Sequence, residues 1–182
     1  IATHAFHLTE FVSRLTAFEL AADLSTFVPG RKVDDNAHMM LRFGAGAKGM
    51  LWASQVAPGK ASGLRLRTYG EHASHEWSQE QPEELRFTWL GEPTRILRRG
   101  GQGLSPAAQR ATRLPPGHPE GDLEAFAQIY TDAAELVRAH HDKRKPDPLA
   151  TLAPGIEDGV RGVRFIEAAV DSHARNGAWT PL

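Results

Sequence analysis

Apolar residues recur at two different spacings along the chain, and the change of spacing predicts where helix gives way to strand. Leu8, Phe11, Val12 and Leu15 follow helical spacing, which predicts a first helix over about residues 4–15. Alternating or short apolar runs then predict strands over 17–28, 37–43, 49–56, 64–69, 76–78, 85–90 and 95–98. Because short turns join these strands, we expect them to pair antiparallel.

Helical spacing returns in the last part of the chain. An apolar stripe from Leu123 to Val137 predicts a long helix that begins after Pro119. A last helix is predicted over about 157–175, and a short final strand over 178–180. This order predicts an α+β fold, with a large, mostly antiparallel β-sheet and helices packed on one face. We expect residues 1–182 to form a single domain, since a domain usually takes roughly 100–200 residues.

Composition and charge narrow the class of protein. The 21 basic and 22 acidic residues give a net charge of −1, so the chain has no basic field for nucleic acid or an anionic membrane surface. No apolar run reaches the roughly 18 residues that a membrane-spanning helix needs. The chain has 0 cysteines, which excludes disulfides and thiolate metal sites within it. We therefore expect a cytoplasmic protein without nucleic-acid or membrane partners.

A glycine-rich stretch imitates a nucleotide-binding motif. Residues 44–49 read G-x-G-x-x-G and follow a predicted strand. The motif binds phosphate only when a helix starts there, because the phosphates sit on the helix N-terminus. Here another strand follows and ends at Pro58-Gly59, which leaves no room for a βαβ unit. We predict a hairpin loop instead and assign no cofactor-binding residue in this chain.

The chain has 9 histidines, which raises the possibility of a metal site. His4 and His7 share helical i, i+3 spacing, as do His72 and His75. Neither pair has the H-E-x-x-H pattern or an obvious third ligand, so we predict no metal site. His140 and His141 are most simply placed at an exposed helix end.

Two further groups of residues stand out. A basic cluster on the predicted strands is more simply an interface or a solvated face than an anion site; it comprises Arg65, Arg67, Arg86, Arg95, Arg98 and Arg99. The segment Gly117-His118-Pro119-Glu120-Gly121 is a helix start, with Pro and Glu suited to the first turn. A helix start does not require His118, so this side chain is a candidate binding residue.

The layout and several stretches resemble the C-terminal domain of the Gfo/Idh/MocA family of NAD(P)-dependent oxidoreductases over essentially the whole chain. The stretches are Thr3-His4-Ala5-Phe6-His7-Leu8, Gly49-Met50-Leu51-Trp52-Ala53-Ser54-Gln55, Leu64-Arg65-Leu66-Arg67-Thr68-Tyr69-Gly70-Glu71, Gly117-His118-Pro119-Glu120-Gly121 and Asp158-Gly159-Val160-Arg161-Gly162-Val163. The resemblance implies an N-terminal Rossmann domain that is absent from this chain and that binds most of the NAD or NADP.

The resemblance also implies roles for individual residues. His4 matches the catalytic histidine of the family's Asp-x-x-x-His junction motif, whose Asp would lie one residue before Ile1. His7 stands where family members often have Asp on substrate hydroxyls, which makes a polyol substrate less certain. His7, Gln55 and His118 are the candidate substrate-binding residues.

Two hypotheses from different classes follow. In the first, the chain is the substrate-binding and oligomerisation domain of an oxidoreductase that acts on a sugar, polyol or related secondary alcohol. This domain would be inactive by itself and would form a homodimer or homotetramer through the sheet. In the second, it is a non-catalytic ligand-binding or assembly module of the same fold. A G-x-G-x-x-G motif and a Glu-Lys-Pro motif upstream of Ile1 would favour the first. A histidine-based metal hydrolase is a third, less favoured hypothesis.

Overall fold

The computed structural model describes residues 2–182, which form two compact units. The first unit contains residues up to 61 and residues 156–182, and the second contains residues 62–155. The single-domain assignment stays a prediction. The predicted α+β class with antiparallel strands is confirmed, and the strands lie in two four-stranded sheets.

The first unit is a sheet with two helices packed against one face. Its elements are α1 (Ala2–Ser13), β1 (Ala17–Ser25), β2 (Asn36–Phe43), β3 (Lys48–Ser54), α4 (Ile156–Ala174) and β8 (Thr180–Pro181). The sheet order is β3-β2-β1-β8, with every pair antiparallel. Cross-strand partners Leu20 and Leu41 belong to its buried core. The stacked rings of Phe6 and Phe165, whose centroids are 4.2 Å apart, join α1 and α4 there.

A polar cluster fixes the chain between α1 and β1. Arg161 of α4 donates two hydrogen bonds of 2.6 Å to the Glu10 carboxylate and one to the carbonyl of Ala17. The same carboxylate accepts a 2.7 Å bond from the Ala17 N–H. Burial and the Glu10 hydrogen bond act oppositely on the pKa of Arg161, and the hydrogen bond dominates, so the pKa is raised. One ion pair therefore ties α1, β1 and α4 together.

The second unit is a meander of strands followed by helices. Its elements are β4 (Arg65–Tyr69), β5 (Ala73–Ser78), β6 (Glu84–Trp89), β7 (Arg95–Arg98), α2 (Pro106–Ala111) and α3 (Asp122–His141). The strand order β4-β5-β6-β7 follows the chain, with every pair antiparallel. None of the helices in residues 2–182 is long and apolar enough to cross a membrane.

The structure corrects two details of the sequence analysis. β1 ends at Ser25 instead of residue 28, because the buried Asp35 carboxylate accepts the N–H groups of Phe27 and Val28 at 2.9 and 3.0 Å. These bonds turn the chain and lower the pKa of Asp35, the Phe27 bond being the largest cause. The second detail is α2, a short helix in a stretch that shows no helical periodicity.

Candidate functional site

The first turn of α1 carries the candidate catalytic histidine. His4 is exposed on this helix, while its neighbour Phe6 is 1 % exposed and packs into the core. Within residues 2–182 the His4 imidazole has no hydrogen-bond or ion-pair partner. A rigid helix therefore presents an imidazole that is free to meet another molecule.

His7 lies one turn further along the same helix. Its Nε2 atom is 3.8 Å from the Asp158 carboxylate on α4, and both side chains are about half exposed. When His7 is protonated this contact is an ion pair, which binds the imidazole to α4. A hydroxyl group that approached His7 would therefore meet an imidazole and a carboxylate side by side.

A cavity of about 310 Å³ opens beside the start of α1. Its apolar wall comes from the sheet and α4; it includes Leu24, Ala37, Met39, Ala53, Phe165, Ile166, Ala169 and Val170. Polar residues at the same cavity are Thr3, Asp34, Asp35, Asn36, Ser54 and Gln55. Its volume is at the lower end of the range of about 300–1,000 Å³ that small-molecule sites occupy.

Gln55 reaches this cavity because its backbone is anchored. It follows the last residue of β3, and its N–H donates a 2.8 Å hydrogen bond to the carbonyl of Asp35. The Asp35 side chain is itself held in the β1–β2 loop, so the loop and the end of β3 form one rim. The Gln55 side chain is exposed at this rim. The structure thus brings Gln55 together with Thr3, the residue before His4.

His118 belongs to the second unit. It is exposed on the loop before α3, and its N–H donates a 3.1 Å hydrogen bond to the carbonyl of Pro115. The helix begins after Pro119 as predicted, with the Glu124 carboxylate accepting the Gly121 N–H at 2.8 Å. Pro119 and Glu120 do not lie in its first turn, however, because its first residue is Asp122. Gly117 has a φ of +86°, a conformation that favours glycine in this turn.

Sequence reasoning missed Glu83 and the contacts of Arg99 and Glu120, which together hold the loop that carries His118. Arg99 donates to the Glu83 carboxylate and to the carbonyl of His118, and the Glu120 carboxylate accepts the Arg113 N–H. Arg99 was expected within a basic cluster, yet it bonds to acidic residues and to backbone carbonyls. Arg98 and Arg95 pair with Glu84 and Glu92, in keeping with a solvated face.

The glycine-rich stretch does not fit a dinucleotide. Gly44–Gly46 is a single 3₁₀ turn with Ala45 at a φ of +57°, and β3 starts at Lys48. The predicted hairpin loop is therefore confirmed. With no helix N-terminus at this place, these residues cannot cradle a pyrophosphate. Nor do the His, Asp and Glu side chains of residues 2–182 include a group of three that could hold a metal ion.

Fold and site together define an α+β domain with a small-molecule-sized cavity, lined by Thr3 and Gln55 but not by His4, His7 or His118. His4, the residue after Thr3, is exposed. Comparison with known proteins agrees with the resemblance inferred from the sequence: residues 1–76 match the model of the GFO/IDH/MocA C-terminal domain. The whole chain has the fold of solved oxidoreductase structures that it matches over about half of their length.

Individual relatives agree with this assignment. The chain is 52 % identical to an oxidoreductase from Sinorhizobium meliloti, with a TM-score of 0.93 over 98 % of this chain and 50 % of that one. It is 32 % identical to an inositol dehydrogenase homolog from Azotobacter vinelandii, in complex with NADH and myo-inositol, with a TM-score of 0.90 over 100 % of this chain and 48 % of that one.

A curated relative, the uncharacterized oxidoreductase YfiI of Bacillus subtilis (strain 168), is 32 % identical over 181 residues, which are 98 % of this chain and 46 % of YfiI. The chain therefore spans about half the length of the relatives it matches.

Proposed function

We propose that this chain is the substrate-binding part of a longer NAD- or NADP-dependent oxidoreductase that acts on a sugar, a polyol or a related secondary alcohol. The observation that carries the proposal is the placement of His4, exposed on the first turn of a helix whose opening residues line a cavity. The oxidoreductases among its relatives support the class of reaction, and the myo-inositol complex of the Azotobacter protein supports the class of substrate.

The proposed role of His4 is proton transfer. Oxidation of a secondary alcohol by a nicotinamide separates a hydride from the carbon and a proton from the hydroxyl. An imidazole has an ordinary pKa near 6.5, so it exchanges a proton readily around neutral pH. Because Phe6 packs into the core, the backbone that carries the imidazole is held in place. The cofactor itself would be held mainly by residues outside this chain.

The proposed substrate site combines the cavity with polar groups at its mouth. A carbohydrate-like molecule has apolar C–H faces and hydroxyl edges, which match an apolar wall and a polar rim. Gln55 offers an amide at that rim, and Asp34 offers an exposed carboxylate that can accept from hydroxyl groups. His7, on the same unit, is a further proposed substrate contact. His118 belongs to the second unit and is proposed as a substrate contact separately from this cavity.

We also propose that the protein forms a homodimer or homotetramer through the open face of the first sheet, which lies opposite α1 and α4. Met40 and Met50 are cross-strand partners on this face, and Met50 is 89 % exposed. Trp52, beside them, is also exposed, so the face presents contiguous apolar surface. Sedimentation of the native protein and of Met50→Glu tests this: a dimer or tetramer that Met50→Glu dissociates is expected, and a native monomer at all concentrations contradicts it.

The catalytic proposal is tested with His4→Ala in the longer protein, using myo-inositol and a panel of sugars with NAD⁺ and NADP⁺. Loss of a positioned acid or base should lower kcat by a factor of about 10²–10⁴ while the affinity for the cofactor stays unchanged. His141→Ala, which removes an imidazole that is 87 % exposed, is the matched control and should retain full kcat. Unchanged turnover in His4→Ala would remove His4 from the reaction.

A further inference from the structure

The guanidinium of Arg99 holds the segment that carries His118. Arg99 follows β7, and its Nε donates to both oxygens of the Glu83 carboxylate at 2.9 and 3.0 Å. Its two remaining nitrogens donate to the carbonyl of Leu114 at 2.9 Å and to the carbonyl of His118. Only 15 % of the Arg99 side chain is exposed. All three nitrogens of the guanidinium therefore donate to groups of the protein.

The two carboxylates near Arg99 bind the N–H groups of the same segment. Glu120, which is buried, accepts from the N–H of Arg113 at 2.5 Å and from the N–H of Leu114. Glu83 accepts from the N–H of Glu120 at 2.6 Å. Arg99 and Glu120 form an ion pair of 3.2 Å, which closes the network. We call residues 113–120 the His118 loop.

The charges of the network reinforce one another. The Arg99 hydrogen bond lowers the pKa of Glu83, with a smaller contribution from the N–H of Glu120. The Glu83 hydrogen bond raises the pKa of Arg99. The pair is therefore ionised at neutral pH, where hydrogen bonds between charged groups are shorter and stronger than neutral ones.

The network fixes the backbone of His118 and leaves its side chain available. The backbone N–H bonds to Pro115 and the carbonyl bonds to Arg99, so the residue is held on both sides. Among the described residues, the His118 imidazole itself has no hydrogen-bond partner. A side chain that is exposed on a pinned backbone is pre-organised for a ligand.

We propose that Arg99 is a positioning residue, which sets the place of the His118 imidazole through the His118 loop and so contributes to substrate binding. The contribution of Arg99 to substrate binding rests on the proposed substrate contact of His118. Lysine cannot replace Arg99 in this role, because a single ammonium lacks the planar fork that reaches a carboxylate and two carbonyls together.

The experiment uses the longer protein with Arg99→Gln and Arg99→Lys. Arg98→Gln is the matched control, because Arg98 is the preceding residue and makes an exposed ion pair with Glu84. Hydrogen exchange at the loop N–H groups and the resonance of a ¹³C-labelled His118 imidazole report on position without any need for activity. The kinetics with the best substrate of the panel report on binding. His118→Ala identifies the His118 resonance, which it removes, and gives the kinetic effect of losing the imidazole altogether.

In both Arg99 variants the N–H groups of Leu114 and Glu120 should exchange about tenfold faster or more, since bonds to charged groups contribute most among hydrogen bonds. The His118 resonance should shift, and those of the remaining histidines should not. KM should rise with little change in kcat, and kcat/KM should fall by up to about 100-fold, as expected for a misplaced group. Adding Arg99→Gln to His118→Ala should cause no further loss, because the two residues act through one contact.

Each departure from this pattern has its own meaning. Unchanged loop exchange and an unchanged His118 resonance in both variants would overturn the positioning role. Additive losses in the double variant would also overturn it, since Arg99 would then act on the substrate by another route. A further outcome is that the Arg99 variants change loop exchange and the His118 resonance while His118→Ala leaves KM unchanged. In that case Arg99 does position His118, and the proposed substrate contact of His118 is wrong. Arg99→Lys keeps the charge, so the test survives if Arg99→Gln fails to fold.

Discussion

The two units of the molecule are held together by different means. The first unit has an apolar core in which Phe6, Leu20 and Phe165 are at most 1 % exposed. In the described part of the second unit, the buried apolar residues are Ala139 and Ala150. What the second unit buries besides these are carboxylates, those of Glu120 and Asp132. One unit therefore depends on hydrophobic burial, and the other depends on charged networks.

Two further networks show how general this is in the second unit. Arg110 of α2 donates to Asp132 of α3 and, at 3.2 Å, to Asp147. Arg144 donates to both oxygens of Glu135 at 2.6 and 2.8 Å. These bonds tie α2 to α3 and tie both helices to the loop that follows α3.

The two units should respond differently to salt and pH, and so should the candidate site residues that they carry. Hydrophobic burial is insensitive to moderate salt and acid, whereas partly exposed ion pairs weaken with both. His4 and Gln55 lie on the unit with the apolar core, and His118 lies on a loop held by a charged network. We therefore expect the position of His118 to respond to pH and salt more than that of His4.

The sharpest test of the comparison is Phe165→Ala. Removing a buried ring that stacks on Phe6 should lower the free energy of unfolding of the first unit by about 3–5 kcal/mol, from lost transfer energy and the cavity left behind. Phe126→Ala in α3 is the control; this ring is 57 % exposed, so the change should stay within about 0.5 kcal/mol. Urea unfolding, followed by hydrogen exchange in each unit, gives the loss in free energy of unfolding for both variants. Equal losses for Phe165→Ala and Phe126→Ala would contradict the comparison.

The apolar pattern of the sequence predicts most of this architecture. β7 occupies the predicted residues Arg95–Arg98, and the helices α3 and α4 begin and end close to their predicted bounds. Alternation and helical spacing are local signals, so they survive without knowledge of the tertiary structure. α2 shows no such spacing, although Ser105 followed by Pro106 is a helix-start signal, and the Ser105 hydroxyl accepts the Ala108 N–H at 3.3 Å.

The charged networks are a different matter, because their partners are distant in sequence. Glu83 and Arg99 are 16 residues apart, and Glu83 and Glu120 are 37 apart. No periodicity links such residues, so a pattern analysis places them separately on strands and loops. For the same reason His118 can be marked as unusual from its motif, while the residues that fix it become visible only in the structure.

A smaller effect is expected from Asp132→Asn, which tests the charged side of the comparison. The Asp132 carboxylate accepts from Arg110 and, at 2.9 Å, from Gln128, and an amide would remove one of the two charged partners of Arg110. We expect the second unit to lose about 1–3 kcal/mol, the cost of a partly buried group whose hydrogen bond is impaired. The loss should shrink as salt rises. Glu71→Gln, at a side chain that is 87 % exposed, should change stability by less than about 0.5 kcal/mol.

If Asp132→Asn instead matched Glu71→Gln at low salt, the network would contribute nothing to the second unit. An equal loss of stability in both units, measured by hydrogen exchange, would also contradict the comparison. The effect would then not be confined to the unit that the network holds. Exchange measured at low and high salt on both variants separates these outcomes.

The smallest effect is a change in pH dependence. Arg144, and after it the N–H of Asp147, lowers the pKa of Glu135 from 4.5 to about 2. A carboxylate with a lowered pKa in the folded state binds fewer protons folded than unfolded, so its stabilising contribution is complete above pH 4.5 and disappears as pH falls to about 2. Glu135→Gln should make the second unit less stable at neutral pH and equally stable near the lower limit, which flattens its pH profile. Parallel profiles for native protein and variant, measured by exchange in the second unit, would show that acid acts on this unit through other groups.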